Sequence, residues 1–529
     1  MEAEGVRYIF GVPGEENLTF LEAIRKSKIK FITTRHEQAA VFMAATVGRL
    51  TGKVGVALST LGPGATNLLT GVAHAQLAGI PLLVITGQKP IKKSKQGQFQ
   101  IIDVVKMMTP VTKYSATIIS SDRMPSMVRE AVKLALAERP GASHLELPED
   151  IAEEICRAGP ITPHKVRRPN ADTKAIGLAL EEIEKSRHPL VVLAAGGNRK
   201  LVRKQLHIFL NKTGIPFTST QMGKGVEDES SPLYIGTTAL SDGDYVHQAL
   251  RRADLIIMIG HDISEKPPIA LNGEDCKVIH INFSPAEVDD IYIPTHEVVG
   301  DISNTLWSFT EKIKINSAWD FKYFFKVRDI LKKDIAKFAE SIEFPLRPER
   351  IVSDIGKIMS RDGILALDNG MYKIWVARNF QCREQNGLML DNALASMGAG
   401  LPSGIAAKII YPEKKVLVVA GDGGIMMSIA ELETAVRLKI DLVVLILDDE
   451  GLGMIRWKQK DMALPAYGLS FNNPDFVMLA KSFGAVGYKI NKARDLLPLL
   501  QKSLNAKGVH IIRCSINYNK ANKTLKTNN

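Results

Sequence analysis

Cysteine is scarce in this chain of 529 residues: there are four, Cys156, Cys276, Cys382 and Cys514, far apart and with no CxxC pair. That spacing excludes a thiolate zinc site, predicts no structural disulfide and fits a reducing compartment. Long apolar runs are also missing. Stretches such as 81–85 and 442–447 fall far short of the roughly 18 apolar residues a membrane helix needs, so no membrane span is expected. The opening MEAEGVRYIF carries acidic residues where a signal peptide has basic ones and lacks an apolar h-region, which makes the cytoplasm the expected compartment. No helix-turn-helix, RNP-type or zinc-finger pattern occurs, and this argues against nucleic acid as the principal partner. No GxGxxG opens a strand-helix unit with an acidic residue about 20 positions on, so a nicotinamide dehydrogenase is disfavoured.

What is present is an ordinary globular composition, 45% apolar and 24% charged, enough to bury a core in each of about three or four domains. The net charge of +11 is spread in short groups of Lys and Arg. Scattered groups of this kind read as solvated surface, with an attraction for small anions as a secondary consequence.

Short runs rich in Val, Ile and Leu, each ending in Gly, Asp or Asn and followed by helical periodicity, recur along the whole chain. This is the pattern of parallel strands covered on both faces by helices. Strands are expected at 30–34, 54–59 and 81–86, then at 189–194, 254–259 and 278–283, and finally at 363–367, 415–420, 441–447 and 509–516. Residues 156–172, with three prolines, read as an exposed linker, and 316–346 as a second, partly helical crossing. The expected fold class is α/β, with three doubly wound parallel-sheet domains at 1–155, 173–315 and 347–529. The tail 517–529 is polar enough to fray.

In such sheets ligands bind beyond the carboxyl ends of the strands. Four loops there are informative. The loop 61–67 contains Gly62, Pro63, Gly64 and Asn67 before a helix expected near Leu68; its glycines allow close backbone approach to a ligand, although a tight strand-to-helix turn explains them equally. Glu37 opens an apolar run from Ala39 to Ala45, a setting in which a carboxyl can share a proton with a ligand nitrogen or simply favour a helix N-terminus. Gly421-Asp422-Gly423-Gly424 follows the strand ending at Ala420, before a helix expected over 428–438, and Asp448-Asp449-Glu450-Gly451 follows the next strand. Asp422 and Asp449 lie 27 residues apart, about one strand-helix-strand unit, so both can emerge at one sheet edge. Two hard oxygen donors beside glycine-rich backbone suit Mg²⁺ and a phosphate group; a catalytic carboxylate pair and a pair of turn aspartates are the competing readings.

The GDGG segment at 421–424 and the LDDEG segment at 447–451 resemble the diphosphate and Mg²⁺ motif of thiamine diphosphate enzymes. RHEQAA, at 35–40, is similar to the segment carrying that family's cofactor-activating glutamate, and GPGATN, at 62–67, to its companion loop. The resemblance covers nearly all of the chain and keeps the motif order. Within the family, GVPGEEN (11–17), LSTLGPGATN (58–67), LELPEDIA (145–152), DNGMYKIW (368–375) and GDGGIMMSIAELETAVRL (421–438) resemble acetolactate synthases.

The resemblance implies a pyrimidine-binding domain, a central Rossmann-like domain and a diphosphate-binding domain. It implies Glu37 at the aminopyrimidine ring, Met397 as an apolar wedge under the bent cofactor, and the Ala395 carbonyl as acceptor for the ring amine. Mg²⁺ would be held by Asp422, Asp449 and the carbonyl of Gly451, with Gly370, Gly421, Gly423 and Gly424 around the diphosphate. Gln88, Phe99, Gln100, Met454 and Trp457 match positions that line the pocket for the second substrate. The implied reaction decarboxylates one pyruvate and joins its two-carbon unit to another, giving 2-acetolactate and CO₂. Benzoylformate decarboxylases and pyruvate oxidases share the same cofactor machinery, and a non-catalytic homologue would have lost the carboxylates. The implied assembly is a homodimer, or a homotetramer built from it.

Three departures carry expectations of their own. The FAD-containing acetolactate synthases have an Arg-Phe-Asp-Asp-Arg run where this chain reads Gly260-His261-Asp262-Ile263-Ser264-Glu265-Lys266, which favours the form without flavin. Asp448 and Glu450 add negative charge beside the metal site, with Lys458 or Lys460 as the expected compensation. Relatives begin with a further helix, of which Met1 to Glu4 would be the last turn, so a misassigned or truncated start and a less stable first domain are expected.

Overall fold

The computed structural model describes residues 1–92, 97–164, 168–199, 201–238, 243–265, 267, 269–271, 276–287 and 290–519. Lys266, part of the linker and most of the polar tail therefore lie outside the described residues.

Among the described residues eighteen strands form three sheets of six, every pair parallel. The N-terminal sheet contains β1 (Tyr8–Gly11), β2 (Lys30–Thr33), β3 (Gly55–Ser59), β4 (Leu82–Gln88), β5 (Tyr114–Thr117) and β6 (Ala142–Pro148), in the order β2-β1-β3-β4-β6-β5. The central sheet contains β7 (Pro189–Leu193), β8 (Phe217–Ser219), β9 (Tyr234–Thr237), β10 (Leu255–Ile259), β11 (Lys277–Asn282) and β12 (His296–Val299), in the order β12-β11-β10-β7-β8-β9. The C-terminal sheet contains β13 (Ile364–Leu367), β14 (Leu388–Met389), β15 (Val416–Gly421), β16 (Leu442–Asp448), β17 (Val486–Lys489) and β18 (Val509–Ser515), in the order β14-β13-β15-β16-β18-β17. The ten expected strands are all present, with ends shifted by two residues at most. Those not foreseen, such as β5, β9, β14 and β17, are mostly short strands near the sheet edges, where burial is partial and the apolar pattern fades.

Two helices matter most. The Glu37 helix (Glu37–Thr51) lies so close to β3 that a Cβ on Gly55 would come within 1.8 Å of the Ala44 carbonyl oxygen. The Gly400 helix (Gly400–Ile410) covers the C-terminal sheet, with Gly404 against Val418. The two pack on each other, so that one continuous core runs from Val41 and Leu82 to Leu401, Val418 and Val444. The crossing at 316–346 contains the helix Lys322–Ala336, whose Phe324, Val327 and Leu331 are buried in the same core as β10. No helix of the described residues is long and apolar enough to cross a membrane, and all four cysteines are free thiols.

Candidate active site

Glu37 is the first residue of its helix and is buried. His36 caps the helix, its Nδ1 accepting from the Gln38 amide at 3.1 Å, and the helix N-terminus favours the Glu37 charge. Asn67 Nδ2 donates to Glu37 Oε2 at 2.9 Å. A Cβ on Gly64 would stand 3.4 Å from Oε1 and only 2.8 Å from Thr60 Cγ2, so glycine lets this turn press on the carboxylate. The helix expected near Leu68 begins at Leu69, and a short separate helix, Pro63–Asn67, precedes it, opened by a proline whose fixed φ suits a first turn. Gly62 has φ +52°, and a Cβ there would meet the Gln100 carbonyl at 2.9 Å, which brings Gln100 onto the same turn. Among the described residues no cation pairs with Glu37.

Beside this cluster, Gln88 is buried and donates to Glu146 at 2.9 Å. The GVPGEEN loop enters through Glu16, which pairs with buried Lys89 at 2.8 Å and accepts the Thr60 hydroxyl. Burial works against the Glu16 charge, but the Lys89 and Thr60 hydrogen bonds outweigh it and hold the carboxyl below its usual range. Phe99 is 66% exposed and Trp457 37% exposed. One chain thus leaves both on the surface rather than in a closed pocket with Gln88.

On the C-terminal sheet, Gly421 of β15 is in register with Leu447 of β16, so the loops bearing Asp422 and Asp449 leave the same edge. The helix expected over 428–438 is present as Glu431–Arg437. A separate short helix, Asp422–Met426, precedes it, opened by Asp422 itself and ended by a tight turn at Met427. Asp422 accepts the Gly423 amide at 2.9 Å and Asn473 Nδ2 at 2.8 Å, and the same Nδ2 donates to Asp448 at 2.9 Å. Burial, followed by the charge of Asp422, pushes the Asp449 carboxyl up to about 7. Burial also raises Asp422.

The compensating cations are arginines, not the expected lysines. Arg513 pairs with Asp448 and reaches Glu450 at 3.9 Å, and Arg456 pairs with Asp449 at 3.3 Å. Lys458 lies over the Trp457 ring instead. Arg456 also crowds Gly451, where a Cβ would come within 2.2 Å of its guanidinium. A cationic group thus stands against two of the three expected metal ligands.

Asp368, at the end of β13, was missed by sequence reasoning. It is fully buried, accepts the amides of Asn369 and Gly398 at 2.7 and 2.9 Å, and is pushed up to about 7 by burial despite those bonds. A Cβ on Gly424 would touch its carboxylate at 2.7 Å. Asp368 therefore ties together the loops at 368–370, 397–400 and 422–424. Met397 Cε lies 3.5 Å from where a Gly423 Cβ would be, and Gly370 and Gly421 both pack on Tyr372. Met454 is half-buried against the sheet core. Among the described residues six non-glycine residues have positive φ, and three of them, Gln100, Ala395 and Glu450, are expected site residues or stand beside one; such backbone persists where the surroundings impose it.

Asp422, Asp449 and the Gly451 carbonyl offer hard oxygens, and a divalent ion would offset the burial and mutual repulsion that raise the two carboxyls. Among the described residues no three His, Cys, Asp or Glu side chains form a ready cage. The donor set therefore suits a metal completed by backbone and by a ligand's own phosphate oxygens. The glycine-walled cradle fits that phosphate.

The family models agree with this geometry. Residues 1–107 match the N-terminal TPP binding domain of thiamine pyrophosphate enzymes, 176–309 the central domain and 368–514 the C-terminal TPP binding domain. The chain belongs to the thiamine pyrophosphate enzymes. Within that family it is 32% identical to the catabolic acetolactate synthase of Raoultella terrigena, over 98% of this chain and 94% of that one. It is 31% identical to an acetolactate synthase of Bacillus subtilis strain 168, over 97% and 91%. It is also 30% identical to that organism's putative thiamine pyrophosphate-containing protein YdaP, over 96% and 88%.

Proposed function

We propose that this enzyme is an acetolactate synthase, condensing two pyruvates to 2-acetolactate and CO₂. The similarity to proteins of that name runs through all three domains rather than the cofactor loops alone, and this observation carries the reading. Thiamine diphosphate, when bound, supplies a carbon nucleophile and the electron sink through which a 2-oxo acid loses CO₂. Glu37 holds a proton at the aminopyrimidine ring, positioned by Asn67. Asp422, Asp449 and the Gly451 carbonyl hold Mg²⁺, for which Arg456 gives way. Gly423 and Gly424 admit the diphosphate, Met397 supports the rings, and Gln88 and Gln100 face the second pyruvate.

The chain works as a homodimer. Large apolar residues stand exposed around both cofactor edges, with Phe99 on one side and Met427, Trp457, Met462 and Tyr467 at 37–86% exposure on the other; a second subunit covers them and excludes water from the reacting centre. The central domain needs no flavin. Asp262 is spent on Arg139 at 2.7 Å, and Glu265, at the ends of β7 and β8, is spent on the Ala195 amide at 2.9 Å and the Thr220 hydroxyl.

Incubation with pyruvate, thiamine diphosphate and Mg²⁺, with and without FAD, tests the proposal. Acetoin after acid treatment, independent of FAD, is the expected product. Acetaldehyde alone would make the chain a simple decarboxylase.

A further inference from the structure

Where the three domains meet, on the side away from Asp422, there is a cavity of about 1070 Å³, at the upper end of what small-molecule sites occupy, roughly 300–1,000 Å³. Its walls come from the tail of the Glu37 helix, the tail of the Gly400 helix and the start of the central domain. Six cations line it, and four of these, Arg7, Arg49, Lys53 and Lys414, form no ion pair among the described residues. Arg49 is held below its ordinary range by burial, and the acceptors it finds are three neutral oxygens, of Leu388, Leu390 and Asn386. Arg168 and Arg199 also line the cavity, but both are paired with Glu138, and Glu384 is paired with Arg203 and Arg361. Asp362 is the remaining lining carboxylate among the described residues.

Helix C-termini account for some of this charge, since cations favour them. Arg7, on the approach to β1, belongs to neither helix. A second feature points to a ligand: Arg199 Nε and Asn198 Oδ1, on the same walls, are buried with no hydrogen-bond partner among the described residues. Tyr8 and Tyr411 add aromatic surface beside the cations.

We propose that this three-domain cavity binds an organic phosphate: an apolar or aromatic body carrying a phosphate group. The body lies against Tyr8, Tyr411 and the apolar wall, and Arg7, Lys53 and Lys414 take the phosphate. Because the cavity is closed by all three domains at the tails of the two helices whose heads carry Glu37 and the Met397 loop, its ligand also fixes the domains against each other.

The test is calorimetric titration of holoenzyme, saturated with thiamine diphosphate and Mg²⁺, with three probes at low salt: AMP, inorganic phosphate and adenosine. AMP should bind most tightly and adenosine least, and excess thiamine diphosphate should not displace AMP. Substituting Arg7→Glu, Lys53→Glu and Lys414→Glu together should weaken AMP at least about tenfold, the scale of losing charge-assisted contacts, while turnover stays at the wild-type level. If that variant does not fold, Arg7→Gln with Lys53→Gln should weaken AMP in the same direction. The proposal is overturned by the absence of AMP binding at millimolar concentration, by adenosine binding as well as AMP, by displacement with the cofactor, or by unchanged affinity in the folded variants. None of these outcomes depends on which 2-oxo acid the enzyme uses.

Discussion

At the carboxyl edge of the N-terminal sheet one carboxylate, Glu37, set apart from the Glu16–Lys89 pair, stands with a neutral donor, Asn67, and with no cation paired to it among the described residues. At the corresponding edge of the C-terminal sheet four, Asp422, Asp448, Asp449 and Glu450, crowd together and share Arg456, Arg513 and Asn473. Under the proposed function, the difference follows from what each edge would do. A group that exchanges a proton with a ring nitrogen must not be clamped by a fixed positive charge, which would keep it ionised. A group of carboxylates that awaits a divalent ion repels itself, and the protein holds it together with its own cations until the ion arrives.

The contrast can be broken most sharply at Glu37. Glu37→Gln should lower turnover by roughly 10²- to 10⁴-fold, the scale of losing an acid-base group, with thiamine diphosphate affinity nearly unchanged in a calorimetric titration. Asp449→Ala should do the opposite, abolishing Mg²⁺-dependent cofactor retention. At least the roughly 10- to 100-fold loss known for outer-shell partners is expected in Mg²⁺ affinity, because a direct ligand is removed.

A pH titration sharpens the comparison further. The Asp449 carboxyl sits at about 7 in the folded protein, above an ordinary value of about 3.9. The folded state thus holds the proton more tightly than the unfolded chain, and metal-free stability should fall as pH rises from about 4 to about 7. Mg²⁺ affinity should rise over the same window. Melting curves in EDTA and in Mg²⁺ would show opposite slopes, and Asp449→Asn should reduce both, leaving in EDTA the share carried by Asp368 and Asp422. The smallest effect is expected from Arg456→Ala. A partly exposed ion pair is worth up to about 1 kcal/mol, so releasing Asp449 should raise Mg²⁺ affinity up to about fivefold; a fall would show that Arg456 supports the metal rather than standing in for it.

The parallel strands were legible because each is a short apolar run closed by a polar or glycine break, a pattern that buried strands impose on themselves. Glu37, Asn67, Asp422 and Asp449 were legible because they sit directly at such breaks. Asn473 and Arg513 were not: they come from segments about 25 and 65 residues beyond Asp448 and meet it only because β16 pairs with β18 and the intervening loop folds back. Asp368 announced itself only as the first letter of a motif. Its role depends on amides from residues 30 positions away. Lys458 and Lys460 were the expected cations, yet the one that the helix turns toward the acidic loop is Arg456.

Local order, then, settled which residues end a strand and which open a helix, since backbone geometry and burial act over a few positions. Which charges neutralise which, how the two cofactor-holding domains share one core, and where a three-domain cavity gathers unpaired cations were decided by packing between distant segments. Electrostatic and contact energies depend on distance in space, and no spacing along the chain encodes that distance.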